Sequence, residues 1–169
     1  MYSVLLFMTE EEDVNRILTE TRELYMKGMS ILNQSNEKLH HAHYKYPNNS
    51  SILLALAANL ASTGNIHDPI DIYNKILEKD EKNVYALVGL ARLKFELNEI
   101  GNSVELAKKA IDINPQMYDA QMFYAQIHLT SGNIPEAKRM VEHILTQNPY
   151  DELANLLNDR ILHLERVKP

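Results

Sequence analysis

Residues 118–149 read YDAQMFYAQIHLTSGNIPEAKRMVEHILTQNP. An apolar-rich run stops at Gly132-Asn133, a second opens at Pro135, and Pro149 closes it. Gly-Asn marks a turn, and proline is accepted in the first turn of a helix and just beyond a helix end. The stretch therefore reads as helix, tight turn, helix. The pattern recurs upstream: with Ser50, Val84 and Tyr118 as first positions, 34 residues apart, the eighth place holds Ala57, Ala91 and Ala125, preceded by Leu56, Leu90 and Tyr124. Two helices approach closely only where no large side chain intervenes, so an alanine that returns at a fixed place marks the contact inside each hairpin. A period of this length predicts stacked helical units that bury their apolar faces on one another, with function carried by a surface rather than by a pocket of catalytic groups.

In the repeat over 50–83, Leu53, Leu56, Ala57 and Leu60 form one face, Gly64-Asn65 is the turn, and Asp68-Pro69 is read as an N-cap followed by proline at the first helical position. Ile72, Tyr73, Ile76 and Leu77 continue on its second helix. The repeat over 84–117 turns at Asn98-Glu99 and carries Val104, Ala107, Ala110 and Ile111 before Pro115; that over 118–151 carries Ala137, Val141, Ile144 and Leu145 before Pro149. Pro47 stands at the same place two periods before Pro115, so residues 9–49 read as a degenerate first repeat. Its first helix is expected to open on a Thr9/Glu12 capping box, to present Val14, Ile17, Leu18, Leu24, Tyr25 and Met29, and to turn at Gly28 or between Asn33 and Asn36 before a second helix over Glu37–Tyr46. After Pro149, Leu153, Leu157, Ile161 and Leu164 lie on one stripe of a closing helix over 152–167.

These features resemble tandem tetratricopeptide repeats over residues 50–149: large apolar then small at Leu56-Ala57, Gly-Asn at the turn, and, most completely, Ala125, Gly132-Asn133, Ala137 and Pro149. The chain departs from the family at Asn98 (glycine preferred), Pro69 (alanine preferred), Gln121 (a large apolar residue preferred) and Glu81 (proline preferred). The resemblance implies an all-α fold, a right-handed α-solenoid of antiparallel helix pairs ending in a C-terminal capping helix, forming a single domain over 1–169. It also implies a concave groove lined by the first helices and a non-enzymatic adaptor that captures a peptide or helix of another protein. The family's lining places fall on Ser51, Leu54, Ala58 and Ala61, on Tyr85, Val88, Arg92 and Phe95, and on Asp119, Met122, Gln126 and Leu129, with Leu156 and Arg160 extending the groove. The expected groove residues are therefore Leu54, Ala58, Tyr85, Val88, Arg92, Phe95, Met122, Gln126 and Leu129. Tyrosine and arginine are among the residues that dominate interfaces.

One subclass of the family grips the acidic C-terminus of heat-shock chaperones with lysines, asparagines and an arginine. Those places hold Leu54, Ala58, Gly89, Asp119 and Phe123 here, or Glu20, Leu24, Ala55, Tyr85 and Gly89 one repeat earlier, and neither set supplies the cations. Chaperones of secretion-system translocators share the length and an apolar groove, a resemblance of size and polarity alone. A self-associating structural subunit, built through the N-terminal segment or the first repeat, is the alternative; a homo-oligomer follows from that alternative.

The 169 residues carry 45% hydrophobic residues and a formal charge of -6, which suits a folded chain and disfavours nucleic acid or an anionic membrane as partner. There is no cysteine, hence no disulfide or thiol chemistry, and a cytoplasmic location is the default expectation. Val4–Met8 is too short for a signal core and runs into Glu10–Asp13. That apolar start is expected to dock in the groove around Leu54, Val88 and Met122, in its own chain or a neighbour. His40, His41 and His43 form a cluster without a third ligand class nearby, so no metal is assigned, and His67-Asp68 is read as helix capping rather than an acid-base pair. With no phosphate loop, zinc spacing or hydrolase elbow, no catalytic residue or cofactor is expected.

Overall fold

The computed structural model describes residues 10–167, which form eight α-helices and no strand among the described residues. They are α1 (Glu10–Lys45), α2 (Ser50–Ser62), α3 (His67–Lys79), α4 (Val84–Glu96), α5 (Ile100–Ile113), α6 (Tyr118–Thr130), α7 (Ile134–Gln147) and α8 (Glu152–Val167). α2/α3, α4/α5 and α6/α7 are hairpins, and their first helices stack α2 on α4, α4 on α6 and α6 on α8. The fold is a right-handed α-solenoid of antiparallel pairs. Its core runs through the stack: Ala57, Ala91 and Ala125 are wholly buried, and Ser103, on α5, donates its Oγ to the Ala91 carbonyl at 2.7 Å. Pro69 and Ala137 hold the same repeat place as Ser103 and are likewise buried, so the departure at Pro69 keeps a compact side chain where the helices meet.

The three hairpin turns share one geometry. Gly64 and Gly132 have φ of 82°, and Asn98 has φ of 60°, the left-handed conformation that glycine adopts freely and asparagine better than most. The following amide reaches back across the helix end, Asn65 N–H to Leu60 C=O (3.2 Å), Glu99 to Lys94 (2.8 Å) and Asn133 to His128 (2.8 Å), satisfying carbonyls that the helix leaves open. Asn133 also accepts the Glu136 N–H, opening α7. At α3 the expected cap is corrected: the helix starts at His67, and Asn65, not Asp68, accepts the entering amide, that of Asp68, at 3.2 Å. Pro69 therefore lies inside the first turn.

The first repeat departs further. α1 is one continuous helix of 36 residues, with no turn at Gly28 or between Asn33 and Asn36. One period before Gly64-Asn65 the chain has Ser30-Ile31, which supplies neither a residue that enters the left-handed region cheaply nor a capping side chain. An ordinary L-residue loses about 1–2 kcal/mol in that conformation, so the helix runs on. It still ends at Lys45, 34 residues before the end of α3 at Lys79. The Thr9 cap and the apolar start before it lie outside the described residues.

Helix entry elsewhere uses asparagine or aspartate one period apart. Asn49 and Asn83 accept the amides of Ile52 and Ala86, both at 3.1 Å, and Asp151 accepts that of Ala154 at 2.8 Å. Met117 occupies that place before α6 and has no such side chain; instead the Nε2 of Gln121, which is buried, donates to the Pro115 carbonyl at 2.5 Å. Gln121, a polar departure from the family pattern, thus pins the loop before α6 from inside, while the missing capping acceptor is not replaced.

Candidate functional site

Two hollows follow one another along the stack of first helices. The first, about 470 Å³, lies over α2 and α4 and is lined by Ser51, Leu54, Ala58, Tyr85, Val88 and Arg92, with Met117 and Asp119 at its far side. The second, about 500 Å³, lies between α6 and α8 and is lined by Met122, Phe123, Gln126, Leu153, Leu156 and Leu157, with Arg92 at one end and Arg160 also in its wall. Arg92 and Asp119 belong to both. Of the nine groove residues expected from sequence, Leu54, Ala58, Tyr85, Val88 and Arg92 line the first hollow, and Met122 and Gln126 the second, with Arg92 shared.

Phe95 and Leu129 are placed differently. Both occupy the twelfth place of their repeat, which turns into the stack. Leu129 is buried in the core, and Phe95 packs against that core with its ring edge-on to Phe123, centroids 6.0 Å apart. That contact fixes the Phe123 ring, and the Arg92 guanidinium sits 4.6 Å from the Phe123 centroid on the groove side. Cation–π attraction of this kind amounts to about 0.5–1 kcal/mol at an exposed site, enough to orient a long side chain. No carboxylate among the described residues forms an ion pair with Arg92. It is an oriented cation between two apolar hollows.

The first hollow has a floor that the first-helix pattern does not reveal. Tyr73, from α3, is buried and lines it. Its ring crosses α4 at Gly89, where an added Cβ would lie 2.6 Å from the Tyr73 hydroxyl oxygen and 2.7 Å from Cε1. Only glycine admits the ring there. Burial raises the Tyr73 phenol above its ordinary pKa, opposed by the nearby Arg92 charge, so the hydroxyl remains a neutral donor. The sequence did hold a signal: a glycine in the middle of α4, where a helix interior otherwise disfavours it. Leu153, at 61% exposure, and Leu156, at 68%, come from α8, so the closing helix contributes groove wall as well as covering the core.

The rim is tied down by polar contacts. The Tyr118 hydroxyl donates to Asp151 Oδ1 at 2.9 Å, linking α6 to the cap of α8; burial and that carboxylate raise its pKa to about 12. Behind α6, Arg139 donates to both carboxylate oxygens of Glu136, and Tyr124 donates to Oε1 at 3.2 Å. The Arg139 hydrogen bonds hold the Glu136 carboxyl below its ordinary range. Among the described residues no group of three His, Asp or Glu side chains is arranged to hold a metal; His40 and His41 are exposed on α1, and His43 is partly buried. No helix of the described residues is long and apolar enough to cross a membrane.

Residues 100–159 match the family described as tetratricopeptide repeat. The hairpins upstream of that match repeat the same architecture, so the chain has the fold of tetratricopeptide-repeat proteins. Solved structures with the same fold include a thermophilic tetratricopeptide-repeat protein of Thermus thermophilus (TM-score 0.72, 11% identity, covering 85% of this chain and 79% of that one). The first such domain of Spaghetti (RPAP3), bound to the HSP90 peptide SRMEEVD, superposes with a TM-score of 0.64 at 19% identity over 69% of this chain and 93% of that one. The MamA protein does so with 0.62 at 18% identity over 88% and 90%. No curated protein matches the sequence significantly.

Proposed function

We propose that the protein is a non-enzymatic adaptor whose concave face, from Leu54 to Gln126, holds a helical or extended segment of another protein. The observation that carries this reading is Arg92: a guanidinium held over Phe123, without a carboxylate partner among the described residues, between two apolar hollows. A segment with apolar side chains for the hollows and one carboxylate between them satisfies that arrangement. The oriented cation supplies specificity and the apolar floor most of the affinity. A neighbour of the same fold binds an HSP90 peptide, which supports peptide capture as the mode. The acidic chaperone tail itself is disfavoured, because Leu54, Ala58, Gly89, Asp119 and Phe123 stand where the cations would be needed.

The working unit is proposed to be one domain in the cytoplasm, with neither nucleic acid nor membrane as partner, consistent with a formal charge of -6. Photocrosslinking tests the reading: a benzophenone side chain at Tyr85 is expected to label the bound segment, and the same probe at Lys109, whose side chain lines neither hollow, to leave it unlabelled. Equal labelling from both positions would remove the groove from the account.

A further inference from the structure

The stack of first helices has one unfilled place. α4 lies between α2 and α6, and α6 lies between α4 and α8, whereas α2 has a first helix on one side only. The helix that should fill the other side is the front half of α1, yet among the described residues α1 touches α2 and no other helix. Its cover by α2 runs along the back half, where Leu32, Asn36, Leu39 and His43 are partly buried and the Leu32 carbonyl accepts from Asn59 Nδ2 at 3.2 Å. Met29 on that face is still partly buried, and beyond it, among the described side chains, the face continues without cover. Leu39, Leu32 and Tyr25 are spaced seven apart and so lie almost above one another in a straight helix, but Tyr25 is 65% exposed, and Met26 beside it is 60% exposed. At 1.5 Å per residue the stretch from Glu10 to Ile31 is roughly 33 Å long, more than the length of α2.

We propose that this half of α1 is an exchange arm and that its partner is a second copy of this chain. In the dimer each arm fills the vacant place beside the other copy's α2. A two-fold axis crossing α1 near Ile31 sets the two long helices antiparallel. The face that α2 covers from Leu32 onward lies, along the arm, beneath the partner's α2. The exchanged contact continues an interface the chain already makes, so no new kind of surface is required. Ser30-Ile31 makes the exchange possible: where Gly64-Asn65 folds the next repeat back on itself, the straight helix carries the arm away from its own α2. The inference concerns the chain alone and stands whatever the groove binds.

The intact chain, measured by light scattering through a concentration series, is expected to reach twice 19.5 kDa. Tyr25→Glu combined with Met26→Glu, both exposed, should return it to 19.5 kDa with unchanged melting of the repeats. Ser30→Gly with Ile31→Asn copies the Gly64-Asn65 turn and should also yield a monomer, its arm folded back with the overall helix content retained. A mass of 19.5 kDa for the natural sequence at every concentration overturns the proposal, as does a dimer that survives either variant.

Discussion

At Gly64-Asn65, Asn98-Glu99 and Gly132-Asn133 the chain reverses; at Ser30-Ile31, the same place in the repeat, it runs straight on. The comparison separates what makes a repeat from what makes a hairpin. Apolar periodicity alone gives helices, and α1 has it. Reversal also needs a residue that tolerates positive φ, followed by one that can close the helix end or open the next. Where both are present, the two helices bury a common core; where both are missing, a 36-residue helix shares only its back half with the fold.

The contrast predicts unequal responses to like substitutions. Ile127 is fully buried in α6 and Ile31 is 59% exposed on α1, so Ile127→Ala should cost about 2–5 kcal/mol in urea unfolding. Ile31→Ala should leave the unfolding of the repeats within about 0.5 kcal/mol. Equal losses would mean that the arm belongs to the cooperative core. The glycines divide in the same way. A Cβ at Gly89 meets the Tyr73 ring, whereas one at Gly28 meets nothing within 4 Å. Gly89→Ala should therefore destabilise by about 1–3 kcal/mol through overpacking. Gly28→Ala should firm the helix by up to about 1 kcal/mol. Thermal melts of the pair give the comparison directly.

The turns come next in size. Gly132→Val, which places a β-branched residue at positive φ, should lose on the order of 1 kcal/mol or more, and Asn98→Gly should be neutral or slightly stabilising. A turn indifferent to both changes would show that reversal is imposed by packing instead. The smallest effect concerns pH. His128 is buried against Tyr124, ring centroids 4.4 Å apart, and its Nε2 has no hydrogen-bond partner. Burial lowers its pKa from 6.5, so the folded state binds this proton more weakly than the unfolded chain does. Stability is then complete above 6.5 and declines as pH falls below it towards the folded value. Glu136, held ionised by Arg139, does not titrate in that window. Melting temperature measured from neutral to mildly acidic pH should fall, and His128→Gln should flatten that slope.

Much of this was legible from residue spacing. The recurring alanines, the Gly-Asn turns and the prolines located the three hairpins, because backbone conformation and close helix approach restrict residue choice sharply. The straight run of α1 was legible in principle, since Ser30-Ile31 lacks both turn residues, but the polar Asn33–Asn36 stretch and Gly28 look like loop and are accepted in a helix at modest cost. Side-chain direction was less accessible. Arg92 and Phe95 are three residues apart on α4, yet one lines the hollows and the other enters the core, a difference set by where α6 puts Phe123. The part played by Tyr73 depended on an inter-helix contact at Gly89 that no single-helix pattern contains.

The central claim is that the concave face selects a segment by apolar contacts and one carboxylate opposite Arg92. The direct measurement is to select displayed peptides on the intact protein and titrate the enriched ones against the natural sequence, Arg92→Ala and Lys109→Ala. The enriched peptides are expected to carry apolar residues flanking an Asp or Glu. Their affinity should fall about tenfold, or roughly 1.4 kcal/mol, with Arg92→Ala. It should stay unchanged with Lys109→Ala. Peptides without an acidic residue, or with affinity that Arg92→Ala leaves intact, would contradict that claim.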